Sequence, residues 1–269
     1  MVAIKMNRLI KIFFALTLIT ISGCENEELV APQIDYVEYT VVQAEIQANK
    51  YFPSVRFTKT LPLGVPYRIE DAELKNVTAY LKRNGVQIIP LVYTSQGLYK
   101  PLYDVFVVEG EMYELFAMRD ETFIYSITRI PYKPEITNAY YNSSNYSLNA
   151  NVNAKEGEVY AALWIITNTP PVTSEDYYAV FSAAPGSNIL VSTSPLPQQY
   201  RGGNYSGLRY IQVNSFDPSF EPYFNSRTSG SEITDPFVQG GGEIDWNVQG
   251  DKTIGLFIGV SRGIPQLVF

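Results

Sequence analysis

Apolar and polar residues alternate along several short stretches of the chain. The clearest stretch is 76–82, where apolar side chains at every second position would fall on one face of a strand. A period of two is typical of a half-buried β-strand. This stretch leads into Asn84-Gly85, a pair that accepts the positive φ angles of a type I′ turn, and then into 86–89. We therefore predict a β-hairpin over 76–89.

Other short runs are rich in β-branched and aromatic residues and predict further strands. These runs are 36–42, 54–58, 110–115, 121–130, 146–154, 159–166, 189–191, 208–213 and 253–260. In 146–154 the polar side chains at alternate positions predict one solvated face. Gly255 and Gly259 share one face of 253–260, which predicts that another backbone or a bulky side chain approaches it closely.

Two segments have the pattern of short helices. Thr173 stands three residues before Asp176, the spacing of a capping box, and apolar side chains follow at helical spacing up to Phe181. A second helical turn is predicted over 219–224. Both segments are short, so helices are expected to be a minor part of the fold.

Abundant Tyr, Phe, Val, Ile and Thr, separated by Pro and Gly, indicate an all-β fold of short strands and turns. We predict two β-sandwich domains. The first, 36–133, is immunoglobulin-like, with roughly six or seven strands. Its Gly-x-x-Tyr-x-Leu spacing over 110–115 resembles the tyrosine corner of such sandwiches. The prolines of 131–134 end this domain, and 134–269 forms a second β-rich domain with long loops and one or two short helices.

The first 23 residues have the pattern of a cleavable export signal. A basic start precedes an apolar segment, 12–21, and the small residue Gly23 comes directly before the single cysteine, Cys24. A membrane-spanning helix needs about 20 apolar residues, and this run is roughly half as long. The ending Ile-Ser-Gly-Cys resembles the lipobox of bacterial lipoproteins. The resemblance implies that residues 1–23 are a signal peptide and that the Cys24 thiol carries the lipid.

An acidic tether, 24–35, follows the lipid site. It begins with Glu25, Glu27 and Glu28. This run resembles the export signal that sends lipoproteins of Bacteroidota-type bacteria to the outer face of the outer membrane. The alternative is a merely solvated linker. The resemblance implies a lipid-anchored outer-membrane protein exposed at the cell surface.

The composition narrows the chemistry that is open to the chain. Histidine is absent, which removes the commonest general base and transition-metal ligand. Lipidation of Cys24 would leave no thiol for a nucleophile, a zinc site or a disulfide. The formal net charge is −7, so phosphate backbones would be repelled and nucleic-acid binding is disfavoured. We predict a non-enzymatic protein without a metal or cofactor.

Carboxylates are frequent in the last quarter of the chain. They are Asp217, Glu221, Asp235, Glu243, Asp245 and Asp251. Oxygen ligands of this kind bind calcium in other proteins, but their spacing matches no known calcium loop. A carboxylate pair for hydrolysis is a further alternative. We interpret these groups as solvated surface acids.

Tyrosines concentrate in the second half, among Gly and Asn. A tyrosine offers a flat ring and a hydroxyl with few rotamers to freeze, which suits a surface for a peptide, a glycan or another small ligand. Tyr177, Tyr178, Tyr200 and Tyr205 are the predicted contact residues, on loops between about 170 and 250. The alternative is that tyrosine is simply a favourable strand residue.

Several segments together resemble a known family. They are the lipobox ending at Cys24, the strand 77–81 with its Asn84-Gly85 turn, 110–115, and 246–250 leading into 255–257. Over most of 24–261 the chain resembles a family of Bacteroidota outer-membrane lipoproteins of unknown function, typically encoded beside a TonB-dependent receptor. The resemblance implies a non-enzymatic protein that assists such a β-barrel receptor in nutrient capture or import. The alternative is a structural or adhesive envelope module.

Overall fold

The computed structural model describes residues 36–62, 64–167, 171–174, 177–182, 186–202, 205–228 and 244–268. Strands dominate, and the predicted all-β fold is confirmed. The strands are β1 (Thr40–Gln47), β2 (Val55–Lys59), β3 (Thr78–Arg83), β4 (Gln87–Ser95), β5 (Leu98–Pro101), β6 (Met112–Arg119), β7 (Thr122–Arg129), β8 (Glu135–Asn142), β9 (Ser147–Asn153), β10 (Val159–Ile166), β11 (Val172–Thr173), β12 (Phe181–Ser182), β13 (Asn188–Ser192), β14 (Arg209–Phe216), β15 (Val248–Gln249), β16 (Thr253–Arg262) and β17 (Gln266–Val268). The helices are α1 (Ile69–Ala72), a 3₁₀-helix (Gln198–Tyr200) and α2 (Phe220–Thr228).

These strands form a large and a small sheet. The large sheet has the order β11-β10-β14-β16-β1-β2-β5-β4-β3-β6-β7-β15, with β12 also paired to β10 and β17 to β14. The small sheet has the order β13-β9-β8. β1 and β16 run parallel, with the register Thr40↔Thr253 to Gln47↔Val260. Strand β16, near the C-terminus, therefore lies beside β1, the first strand of the described residues.

The first core lies between β1–β7 and the C-terminal strands. The predicted hairpin is confirmed: β3 pairs with β4, and Asn84 and Gly85 have φ angles of 52° and 71°. Apolar side chains of β3 point inward, with Leu81 fully buried. Val248 and Phe257 from the second half of the chain belong to the same core.

The predicted tyrosine corner has an unexpected partner. Tyr113 is fully buried on β6, and its hydroxyl donates to the Glu111 carboxylate at 3.1 Å. The same carboxylate forms an ion pair with Arg83. Burial raises the pKa of the Tyr113 phenol, and the adjacent Glu111 charge raises it further. The tyrosine is thus bound to a side chain rather than to upstream backbone.

Hydrogen bonds connect β7 and β16 to each other and to residues of the last third of the chain. Asn247 binds both polar backbone groups of Phe257, with its Oδ1 accepting the N–H at 2.8 Å and its Nδ2 donating to the carbonyl at 2.6 Å. The Gly259 N–H donates to Thr128 Oγ1 at 2.8 Å. The Arg129 N–H donates to Asp217 Oδ2 at 2.7 Å. Residues near the C-terminus therefore contribute to the structure around the first core.

The predicted division into domains 36–133 and 134–269 is not confirmed. Residues Glu38–Phe269 form one compact unit. The segment between the predicted domains is also held in place, because the Tyr132 N–H donates to Glu158 at 2.6 Å and Lys155 Nζ lies 4.0 Å from the Tyr132 ring centroid. Both contacts join this segment to the turn between β9 and β10.

A second core lies between the small sheet and one face of β10 and β14. Leu148, Val152, Trp164 and Val213 are among its buried side chains. The prediction of a fully solvated polar face on β9 is wrong at its start. Ser147 and Asn149 are each 2% exposed, and the Ser147 hydroxyl donates to Asn149 Oδ1 at 3.0 Å. A polar side chain can be buried in this way when its partner is buried with it.

The helix predicted over 173–181 is wrong in the described part of that segment. Val172–Thr173 pairs with Ile165–Ile166, and Phe181–Ser182 pairs with Val159–Tyr160. Edge pairing along β10 satisfies backbone groups at both ends of the segment, and this overrides a weak local helix signal. Asp176, the predicted capping-box residue, lies outside the described residues. The turn predicted over 219–224 is confirmed as part of α2.

A substitution at Gly255 tests the contact between β1 and β16. It has a φ of +144°, and a Cβ built on it would lie 2.0 Å from the Val42 carbonyl oxygen. Gly255→Ala would add backbone strain to a steric clash, so we expect a loss of about 3 kcal/mol or more in unfolding free energy, measured by urea denaturation.

Gly157→Ala is the matched control, because Gly157 also has a positive φ but nothing lies within 4 Å of the added methyl. It should lose only about 1–2 kcal/mol. Equal losses for the two variants would contradict a tight contact between β1 and β16.

Candidate ligand-binding cavity

A third apolar cluster lies on the outer face of β16. Phe257 points into the first core, so its neighbours Leu256 and Ile258 point to the opposite side of the strand. Phe216 of β14 and Phe220 of α2 pack in the same cluster. The alternation of β16 therefore supplies two cores, one on each face.

Helix α2 is positioned by Asp217. The Asp217 Oδ1 accepts the Ser219 N–H at 2.9 Å, and its backbone carbonyl accepts the Phe220 N–H at 3.0 Å. Its Oδ2 is bound by Arg129, as described above. The interpretation of Asp217 as a solvated acid is therefore wrong, since it is 9% exposed and joins the start of the helix to β7.

A cavity of about 350 Å³ lies between α2, β1 and β16. Its volume is at the lower end of the range for small-molecule sites. The lining residues share a mostly apolar, aromatic character. They are Val41, Gln43, Ala44, Glu45, Tyr177, Phe216, Phe220, Tyr223, Trp246, Gly255, Leu256 and Ile258.

Five of the lining side chains are aromatic and form a continuous row. Phe216 and Phe220 stack with centroids 4.1 Å apart, and the Tyr177 ring meets Phe216 edge-on at 5.3 Å. Tyr223 follows Phe220 at 6.1 Å and Trp246 follows Tyr223 at 5.5 Å. Ring pairs at these distances support one another, so the wall of the cavity is preorganised.

The cavity lining also includes polar side chains, of which Glu45 and Gln43 lie on β1. Glu45 forms an ion pair with Arg262 at 2.7 Å, and both side chains are about half exposed. The Tyr177 hydroxyl accepts a hydrogen bond from Asn214 Nδ2 at 2.8 Å. Burial raises the pKa of the Tyr177 phenol, and the Glu45 charge adds to the rise. The phenol is therefore neutral near pH 7. Among the described residues that line the cavity, Glu45 is the only Asp, Glu, Lys or Arg.

The four predicted contact tyrosines do not share one site. Tyr177 lines the cavity, and Tyr178 is 61% exposed. Tyr200 and Tyr205 lie together elsewhere, with ring centroids 5.4 Å apart, and both pack against the second core.

Tyr200 and Tyr205 are held by neighbours in that second location. The Tyr200 ring lies 6.3 Å from Trp164. Arg209 lies 5.2 Å from the Tyr141 ring and 5.1 Å from the Tyr205 ring, and its Nε donates to the Tyr200 carbonyl at 2.9 Å. This packing indicates a structural contribution from both tyrosines.

Several predictions fall on residues outside the described ranges. They are the signal peptide, the tether, Cys24, Glu25, Glu27, Glu28, Asp235 and Glu243. In the part of the chain that is described, no helix combines the length and apolar character needed to cross a membrane. Among the same residues no three His, Cys, Asp or Glu side chains group as a metal site would require.

Local sequence patterns do not predict the lining residues of the cavity other than Tyr177. Phe216, Phe220 and Trp246 come from separate loops and elements, and their meeting depends on the position of α2. One signal was available in the sequence: apolar residues face away from Gly255 and Gly259 on β16, which indicates a strand buried on both faces.

Comparisons with known proteins give little beyond this geometry. The chain matches no protein-family model and no curated protein sequence. Among solved structures, a chain from a cytokine receptor complex aligns with 69% of this chain and 93% of its own length, at 10% identity and a TM-score of 0.27. A likeness this distant supports no functional argument.

Stability measurements can separate the structural tyrosines from exposed ones. Tyr200→Ala or Tyr205→Ala should cost about 1–3 kcal/mol, because each removes a half-buried ring, and should lower Tm by several degrees. Tyr178→Ala is the control and should stay within about 0.5 kcal/mol of wild type. Wild-type melting of the Tyr200 and Tyr205 variants would contradict a structural role for these two rings.

Proposed function

We propose that this protein is a surface-exposed, non-enzymatic outer-membrane lipoprotein that binds a small ligand in the aromatic cavity and assists a TonB-dependent receptor in nutrient capture or import. The cavity is the observation that carries the binding part of the proposal. It combines a concave, partly open volume with a row of packed rings and a few polar groups, which is the usual composition of a small-molecule site.

The proposed location in the cell envelope and the proposed receptor partner are supported by the sequence. The export-signal pattern, the lipobox ending at Cys24 and the acids at 25, 27 and 28 support a lipid anchor and exposure at the cell surface. The resemblance to lipoproteins encoded beside a receptor supports the partner. A structural or adhesive envelope module is the alternative, and the receptor is what distinguishes the two.

Affinity purification tests the receptor. The full chain, tagged at its C-terminus and extracted from cells in mild detergent, should bring down one TonB-dependent β-barrel in near-stoichiometric amount. The untagged protein, expressed in the same cells and carried through the same purification, is the control. Recovery without any such barrel would contradict the receptor role and favour the envelope module.

Anchoring is tested at Cys24. Cys24→Ala should release the protein from membranes, because lipid chains on the cysteine bury many methylenes at about 0.8 kcal/mol each. The measurement is the distribution between membrane and soluble fractions. Retention of the cleaved Cys24→Ala protein in the membrane would refute the lipid anchor.

Surface exposure is tested by replacing Glu25, Glu27 and Glu28 with Gln. This variant should stay membrane-bound but lose accessibility to protease added to intact cells. A control variant neutralises three exposed acids elsewhere, namely Asp71, Asp104 and Glu156. Unchanged protease access of the first variant would show that these acids are not an export signal.

A further inference from the structure

We infer that the cavity selects a small organic cation, a protonated amine attached to one aromatic ring or a short aliphatic chain. This inference rests on the proposed function of the cavity as a ligand site and adds the chemical class of the ligand. It depends on three features of the lining: its rings, its charge and its size.

The rings supply contact surface for an apolar body and attraction for a positive charge. Tyr177 meets both Phe216 and Phe220 edge-on, with interplanar angles of 81° and 87°. At the other end of the row, Tyr223 and Trp246 are tilted by 39°. The face of an aromatic ring carries the negative part of its quadrupole, so a ring that presents its face to the cavity would attract a cation.

The charge of the lining has one sign. Glu45 supplies a carboxylate, and no Lys or Arg is among the described residues that line the cavity. An anionic ligand would be repelled by this carboxylate, whereas an ammonium group would pair with it. The net charge of −7 for the chain favours the same sign of ligand.

Arg262 would compete with such a ligand for the Glu45 carboxylate. Its guanidinium binds Glu45 Oε1 from outside the lining, and both partners are about half exposed. An ion pair this exposed contributes little stability, so an ammonium group can share or replace it at small cost. Removal of Arg262 should therefore strengthen binding of an amine, and removal of Glu45 should weaken it.

The volume limits the ligand to a small molecule. About 350 Å³ accommodates a single ring with a short amine chain and is small for an oligomer. Gln43, also on the β1 side of the lining, offers a neutral donor and acceptor near the charged end. The amine would thus lie at the β1 side, and the apolar body would lie along the aromatic row.

Three probes that share a phenylethyl group and differ in the charge of the terminal group test the charge preference. They are phenethylamine, the neutral 2-phenylethanol and the anionic 3-phenylpropionate, titrated by calorimetry into full-length protein in detergent. Phenethylamine should bind about tenfold more tightly than 2-phenylethanol, since a cation–π contact and an ion pair are worth about one factor of ten together. 3-Phenylpropionate should bind most weakly.

Variants assign the preference to named residues. Glu45→Gln should reduce the preference for phenethylamine over 2-phenylethanol to about two- to threefold, which is the part that the rings supply, and Arg262→Gln should tighten phenethylamine binding severalfold. Glu156→Gln, which removes an exposed carboxylate in the turn before β10, should change neither affinity. Trp246→Ala should weaken all the probes that bind, because it removes one wall.

The outcomes separate this inference from the proposed function. Equal affinities for the three probes, or a tenfold preference that Glu45→Gln leaves undiminished, overturn the selection of a cation by Glu45 and the rings, and leave the cavity as a ligand site. Binding that is unaffected by Trp246→Ala, or no binding of phenethylamine to protein that melts cooperatively, overturns the inference as a whole. The receptor role is then judged by affinity purification alone.

Discussion

The fold depends on the parallel pairing of β1 with β16, strands that lie more than 200 residues apart in the chain. Bringing such distant strands together costs conformational entropy, and this cost is met before the contacts between the strands can form. Gly255 allows the two backbones to approach, and Asn247 holds the polar groups of Phe257. The first core is therefore complete only when the last third of the chain has been added, and Glu38–Phe269 forms a single compact unit.

The cavity is a consequence of this pairing. Because side chains alternate along a strand, placing Phe257 in the first core directs Leu256 and Ile258 outward. Asp217 then fixes α2 over that outward face by binding both Ser219 and β7. The same contacts that complete the first core position the aromatic row, so the shape of the cavity depends on the β1–β16 contact.

The sequence predicts local structure better than it predicts the site. Period-two patterns and the Asn84-Gly85 turn identify strands because their signal lies within a few residues. The domain division and the cavity depend on contacts between distant segments, which no local pattern encodes. Only residue type points to Tyr177, and no local pattern points to Trp246, because the residues that share the cavity with it lie on α2, β14 and β1.

In the binding mode that we infer, a small amine occupies the cavity beside Trp246. The chain has two tryptophans, and Trp164 lies in the second core, so ¹⁹F NMR of protein labelled with 5-fluorotryptophan contains an internal reference. Addition of phenethylamine should shift the Trp246 resonance, identified by its loss in Trp246→Phe, and leave that of Trp164 in place. A resonance of Trp246 that stays unmoved at saturating amine would contradict the account.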